Sequence, residues 1–254
     1  MKNKLLNTRN WVLLRGLSRS KFHWLDFPKK IETAFNTPDV FCPELAGNGE
    51  RHQESSPNTI DAAVEDLRKQ LPVNYYNTGY ILCAVSLGAM IANRWIELHP
   101  TEVKGVVLIN TSFKNISPFY HRMQFCSFLE LFRGLWIKDV KVKEQIILDR
   151  TSNDTVIQKS VLDLFTDFHK KHPLKLQNIA NQIHISQQAY FAKKPDCPTL
   201  IINSKLDRLV SKKCSMGLAK KFDLPIQIHP KAGHDITLDD PAWVIDRLKE
   251  FFKN

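Results

Sequence analysis

A chain of 254 residues with 43% hydrophobic content has the length and apolar share of one α/β domain with a sizeable core and room for an inserted subdomain. Its formal charge of +10 could attract an anionic partner, yet no arginine-rich tract, zinc finger or RNP-type aromatic motif accompanies it, so nucleic acid is not expected as a partner. The five cysteines (Cys42, Cys83, Cys126, Cys197 and Cys214) lie scattered without CxxC spacing, which fits reduced thiols in a reducing cytoplasm rather than disulfides or zinc.

The N-terminal segment carries lysines but only one short apolar run, Trp11 to Leu14, broken at once by Arg15; neither a signal peptide nor a membrane span fits it. That run is the first predicted strand. Phe22 to Phe35 reads as helical in part, limited by Pro28, and Asp39 to Cys42 as the second strand. Asn58 to Leu71 reads as a helix, with Asn58 or Pro57 at its start, acidic residues in its early turns, Arg68 and Lys69 late, and Pro72 just past its end. Tyr80 to Cys83 is the third strand, followed by Ala84-Val85-Ser86-Leu87-Gly88 and the helix formers Ala89 to Ala92. Val106 to Ile109 is the fourth.

From Ser112 to Pro198 the alternation stops, and about 85 residues pass with helical patterning only. That is too long for a structureless loop in a compact domain, so a helical insertion over 113–197 is expected. Its first half is rich in large apolar residues: Phe119, Tyr120, Met123, Phe125, Phe128, Leu129, Leu131, Phe132, Leu135 and Trp136. Most of these are expected to form a core private to the insertion, and a lid would use them to line an acyl pocket as well. Lys138 to Lys143 and His169 to Lys175 read as solvated faces. Strands resume at Thr199 to Ile202 and Ile226 to Ile228. Pro241 to Phe252 then reads as an amphipathic helix, with Val244, Leu248 and Phe251 or Phe252 on one side. The whole pattern predicts a mostly parallel sheet of about six strands flanked by helices.

Ser86 sits where a strand turns tightly into a helix. That arrangement strains the backbone, lifts the hydroxyl above the sheet edge and aims the helix's first amides at whatever the oxygen attacks. A serine hydroxyl is a poor nucleophile near neutrality and needs a base, itself oriented by a carboxylate. Asp207 follows the Thr199 to Ile202 strand, and His234, in Ala232-Gly233-His234-Asp235, follows the last strand. Loops leaving the C-terminal strand edges of an open parallel sheet converge on one crevice, so the three can meet there. A tetrahedral intermediate would also need two amide donors for its oxyanion. Leu87, next to the nucleophile, supplies one, and Leu17, after the sharp turn at Gly16, the other.

Taken together, these residues resemble the α/β-hydrolase fold family, of the single-domain, serine esterase-like kind with a helical cap. The likeness covers nearly the whole chain: Ala84 to Gly88 as the nucleophile elbow, Leu206 to Val210 as the acid loop, Gly233 to Pro241 as the histidine loop. Glu44-Leu45-Ala46-Gly47-Asn48-Gly49 is similar to the acidic, glycine-bearing loop after the second strand. The resemblance implies Ser86 as nucleophile, His234 as general base and then acid, Asp207 as orienting carboxylate, Leu17 and Leu87 as oxyanion donors, with Gly16, Gly88 and Arg15 supporting, and no metal or organic cofactor.

The sequence departs from the family pattern at several points. Ala84 replaces the first glycine of G-x-S-x-G, and Arg15 stands where histidine usually precedes glycine. Arg15 could contact an anionic substrate or make structural hydrogen bonds. The antiparallel hairpin that usually precedes the first parallel strand is expected to be missing. Asn110 occupies the position where some relatives carry the acid, which leaves Asp207 as the acid. Asp235 is expected to serve its own loop, and Asp239 and Asp240 to cap the last helix.

The expected activity is hydrolysis of a carboxylic ester through an acyl-serine intermediate. A thioesterase or acyltransferase on a CoA or carrier-protein thioester is the alternative, and a non-catalytic binding protein on the same scaffold a third reading. The partner in each case is a small-molecule acyl compound, with no membrane span expected and the oligomeric state left open.

Overall fold

The computed structural model describes residues 10–37, 40–134 and 136–252; Asp39, Leu135 and the N-terminal lysines of the sequence reading lie outside this range. Six strands form one sheet: β1 (Trp11–Leu14), β2 (Val40–Phe41), β3 (Tyr80–Val85), β4 (Val103–Ile109), β5 (Thr199–Ser204) and β6 (Ile226–His229). Their order is β2-β1-β3-β4-β5-β6, and all five pairings are parallel. β1, β3 and β5 are buried along their whole length. Such strands are covered on both faces and read as continuous apolar runs rather than alternating ones.

The helices outside the long insertion are α1 (Phe27–Phe35), α2 (Ile60–Arg68), α3 (Val73–Thr78), α4 (Leu87–Leu98), α10 (Lys212–Phe222), α11 (Ile236–Asp239) and α12 (Pro241–Phe252). On one face of the sheet, Val64 and Leu67 of α2, Ile91 and Trp95 of α4 and Leu218 of α10 join Val12, Leu82 and Ile201 in one apolar cluster. On the other face, Phe27 and Ile31 of α1 and Val244 and Leu248 of α12 join Leu13, Ile81 and Ile202. Fully burying a leucine or isoleucine side chain stabilises by roughly 1.5–3 kcal/mol, so these two layers fix the sheet and hence the loops at its C-terminal edge.

Several element boundaries differ from the sequence reading, two of them around α2. The residue capping α2 is Thr59, whose hydroxyl accepts from the Ala62 amide, rather than Asn58 or Pro57. Pro72 ends nothing; it stands at the N-cap of α3, where its fixed φ suits a helix start.

Among the described residues, five helices run between β4 and β5: α5 (Phe119–Arg122), α6 (Phe125–Gly134), α7 (Val140–Thr151), α8 (Thr155–Lys171) and α9 (Leu176–Gln188). The expected private core is displaced to their second half, where Leu148, Val161 and Phe165 pack with Leu238 and, more loosely, Phe22. In the first half the pattern is inverted. Phe125, Phe128, Leu129 and Phe132, spaced as one helical stripe, are exposed, as are Phe119, Tyr120 and Trp136, while the buried positions of α6 are Ser127 and Gly134. The polar side faces inward because Ser127 Oγ donates to the Arg208 carbonyl at 2.5 Å and Gln124, just before α6, donates its side-chain amide to the Asp207 carbonyl at 2.7 Å. Lys138 to Lys143 and His169 to Lys175 are largely exposed, except that His169 turns inward to Glu144 at 2.8 Å.

Candidate active site

Ser86 stands between β3 and α4, as the N-cap of the helix, with φ 56° and ψ −118°, a region hostile to side-chain-bearing residues. Neighbouring segments hold it there: its amide donates to Ile109 O at 2.9 Å, and its carbonyl accepts from Thr111 Oγ1 at 3.1 Å and from the Ala89 and Met90 amides at 3.1 and 3.3 Å. Gly88 makes the tight approach possible. A β-carbon there would lie 2.4 Å from Leu14 O and 2.6 Å from Arg15 O. Leu87 occupies the first position of α4, where amides have no intrahelical acceptor. The segment after β1 lies against the same elbow, since a β-carbon on Gly16 would stand 3.1 Å from Ser86 Cβ. Among the described residues, neither the Leu17 nor the Leu87 amide has an acceptor within the protein.

The other two candidates meet directly. His234 Nδ1 and Asp207 Oδ2 are 2.7 Å apart, with both side chains almost wholly buried. The second carboxylate oxygen, Asp207 Oδ1, accepts from the Leu209 and Val210 amides at 2.7 and 2.9 Å, which fixes its plane. An imidazole that donates from Nδ1 carries its basic lone pair on Nε2, the arrangement that a general base requires. No hydrogen bond joins Ser86 Oγ to His234 among the described residues. Two short bridges nevertheless bring their loops together. Asn110, at the end of β4 beside the elbow, donates to His234 O at 2.8 Å, and Arg15, beside Gly16, reaches Asp235.

Asn110 is wholly buried with φ 47° and uses its amide on both sides, accepting from the Ser204 amide at 2.8 Å and donating to Ser204 Oγ at 3.0 Å. Arg15 makes the second of the two contacts open to it from sequence. Its guanidinium takes both carboxylate oxygens of Asp235 and lies 4.6 Å over the ring of Trp24. Burial pushes the Asp235 carboxyl up, but Arg15 and the Thr237 hydroxyl outweigh it and hold the group below its ordinary value. His23, buried near Arg19 and Arg15, is pushed well below the ordinary histidine value by burial first and by those two cations next.

Glu44 of the glycine-bearing loop accepts from the Lys21 and Glu50 amides at 3.2 and 2.8 Å, so it is a loop organiser. Asp240 caps α12 as expected, accepting from the Trp243 amide at 3.0 Å. Asp239 does not: it accepts instead from Ser152 Oγ, the Asn153 amide and the Gly233 amide. Asn153 donates to the carbonyls of Leu206 and Lys231 at 3.1 and 2.9 Å, one on the acid loop and one on the histidine loop. Thr111 and Asn153 escaped the sequence reading and Asp239 was expected only as a helix cap, because nothing near them in the chain marks their distant partners. Among the described residues no group of three or more His, Cys, Asp or Glu stands close enough to hold a metal ion.

A parallel sheet with a strained serine at the end of its third strand, and an acid–histidine pair after its last two, defines a hydrolase architecture. The chain belongs to the alpha/beta hydrolase family, whose profile matches residues 11–247. It is similar to pimeloyl-[acyl-carrier protein] methyl ester esterase of Pseudoalteromonas atlantica, at 33% identity over 106 residues; the match spans 41% of this chain and 38% of that protein. Solved structures share the fold at low identity. A hydrolase from Pseudomonas aeruginosa superposes with a TM-score of 0.76 at 16% identity, covering 97% of this chain and 91% of that one. The 2-hydroxy-6-oxo-6-phenylhexa-2,4-dienoate hydrolase of Rhodococcus superposes with a TM-score of 0.74 at 15% identity, covering 98% and 92%.

Proposed function

We propose that the chain is a serine hydrolase that cleaves carboxylic esters through an acyl-serine intermediate. The 2.7 Å contact between His234 and Asp207, beside a serine held at positive φ, is the observation that carries this reading. Ser86 Oγ attacks the ester carbonyl while His234 Nε2 takes its proton. The Leu17 and Leu87 amides receive the oxyanion. His234 then protonates the departing alcohol; in the second half of the cycle it draws a proton from water, whose oxygen attacks the acyl carbonyl, and returns that proton to Ser86 Oγ as the acyl–oxygen bond breaks and the acid leaves.

In this reading residues 1–112 and 198–254 form the catalytic core, and 113–197 a helical cap that shapes the acyl site. The protein works in a reducing cytoplasm: the five cysteines are free thiols, and burial pushes Cys42 up to about 12 and Cys197 to about 11, which suppresses the reactive thiolate. Among the described residues no helix is long and apolar enough to cross a membrane.

Labelling with a fluorophosphonate probe tests the proposal. Wild type is expected to label and Ser86→Ala not to; equal labelling, or turnover of chromogenic esters by Ser86→Ala, would overturn it. A second reading draws on the charge of +10 and on the P. atlantica relative, whose name places it on an ester carried by an acyl-carrier protein. A phosphate-bearing carrier as the substrate's handle predicts that added salt slows turnover of a carrier-bound acyl group and leaves that of a neutral ester unchanged.

A further inference from the structure

Arg15 and Asp235 are 220 residues apart in sequence, yet each belongs to a loop that the proposed chemistry depends on. Arg15 directly precedes Gly16 and Leu17. Its main chain is pressed onto the elbow, with its carbonyl over Gly88, and a β-carbon on Gly16 would stand 3.1 Å from Ser86 Cβ. Asp235 directly follows His234. Their side chains close a two-point ion pair, only 6% and 9% exposed, that is the direct link between these two loops.

Around the pair, every contact holds it still. Thr237 Oγ1 donates to Asp235 Oδ1 at 2.8 Å and accepts from Arg15 Nη1 at 3.3 Å. Trp24 covers the guanidinium face, and the Asp235 amide donates to Thr151 O at 2.7 Å. Arg15 Nη1 is thus committed to Asp235 and Thr237, and Nη2 to Asp235. Its Nε is buried without a partner among the described residues. That orphan is a cost, and a buried ion pair on its own gains little over well-packed apolar side chains. What such a pair supplies is register, because its two-point geometry is satisfied at one mutual placement of the loops only.

We propose that Arg15 and Asp235 form a single positioning unit, which sets the Leu17 amide and the His234 ring at their working distances from Ser86. The unit rests on the serine-hydrolase reading and deepens it. Neither residue touches the reacting atoms, so its loss should weaken the transition state rather than substrate binding.

The test measures kcat and KM on a neutral short-chain ester, together with the rate of fluorophosphonate labelling. Arg15→Met is expected to lower kcat about 100-fold, the scale of a displaced oxyanion donor, with KM within about twofold and labelling slowed in step. Arg15→Lys, which keeps the charge but not the two-point geometry, should recover only part of that loss. Asp235→Asn should fall with Arg15→Met, and the double variant should lose no more than the worse single. If Arg15→Met does not fold, Arg15→Lys and Asp235→Asn decide in its place. Unchanged kcat in folded variants, losses that multiply in the double variant, or a raised KM at constant kcat would overturn the proposal. Ser86→Ala runs alongside: activity without Ser86 would sink the hydrolase reading itself, whereas full Ser86-dependent turnover in Arg15→Met would sink the positioning unit alone.

Discussion

Ser152, on the turn between α7 and α8, donates its hydroxyl to Asp239 Oδ1 at 2.5 Å, and Asp239 Oδ2 in turn accepts from the Asn153 and Gly233 amides at 2.9 and 2.7 Å. One carboxylate thus fastens a helical turn of the insertion to the residue just before His234. Asp239→Ala leaves three donors without an acceptor in a crowded site. We expect a loss of about 2–4 kcal/mol in stability and a drop in kcat larger than any rise in KM. Denaturant melts and steady-state kinetics check both; a stable variant with normal kcat would show that the fastening is dispensable.

Asp207 holds His234 through one oxygen while two backbone amides hold the other. Asparagine fits the same space but offers the imidazole the wrong partner. Turnover of Asp207→Asn is expected to fall about 10⁴-fold with the fold intact, by comparison with the same change in serine proteases. Circular dichroism and ester kinetics would show this. Asp235 is no substitute acid, because Arg15 occupies both its oxygens.

Two glycines should respond in opposite ways to alanine. At Gly88 the new methyl would meet backbone oxygens at 2.4 and 2.6 Å, atoms that cannot rotate aside. Gly88→Ala is expected to cost about 1–3 kcal/mol and to spoil the elbow. At Gly134 the nearest atoms lie 3.8 Å away on the flexible Ile146 side chain, so Gly134→Ala should be tolerated and could add up to about 1 kcal/mol of helix stability. Thermal melts of the two variants, with the labelling assay on Gly88→Ala, make the comparison.

Burial holds the His23 imidazole well below its ordinary value of 6.5 in the fold, while the unfolded chain takes up a proton near that value. The unfolded state therefore binds more protons once the pH falls below that value. Stability from this residue is full above about pH 6.5 and is lost as pH falls, by up to about 1.4 kcal/mol per unit, until the depressed folded-state value is reached. His23→Gln removes the titration. Its stability deficit relative to wild type should be largest at neutral pH and narrow toward pH 5; a deficit independent of pH would mean that His23 already binds its proton in the fold.

The strands were legible because β1, β3 and β5 are covered on both faces, and unbroken runs such as Trp11 to Leu14 announce that burial directly. Asp207 and His234 were legible for a different reason: a parallel sheet sends both loops to one edge whatever else the chain does. The α6 stripe could be read as a stripe, but periodicity says only that one face is apolar, not which face meets the protein. Hydrogen bonds from Gln124 and Ser127 to the acid loop settle that orientation, and a serine and a glutamine leave no long-range trace in the chain. The same holds for Arg15 and Asp235. Each is an ordinary charged loop residue until folding places them together.

The turn at Ser152 and Asn153 also bears on how chains of this kind can be recombined. Residues 113–197 look like an exchangeable cassette between two strands, yet their turn is bonded to Leu206, Arg208, Lys231 and Asp239, and Gln182 of α9 accepts from the Ser18 amide at 2.8 Å. A chimera that imports a foreign insertion imports foreign partners for all of these. The natural unit of exchange is the insertion together with 206–208, 231–239 and the loop after β1, three stretches that no alignment of domain boundaries would group.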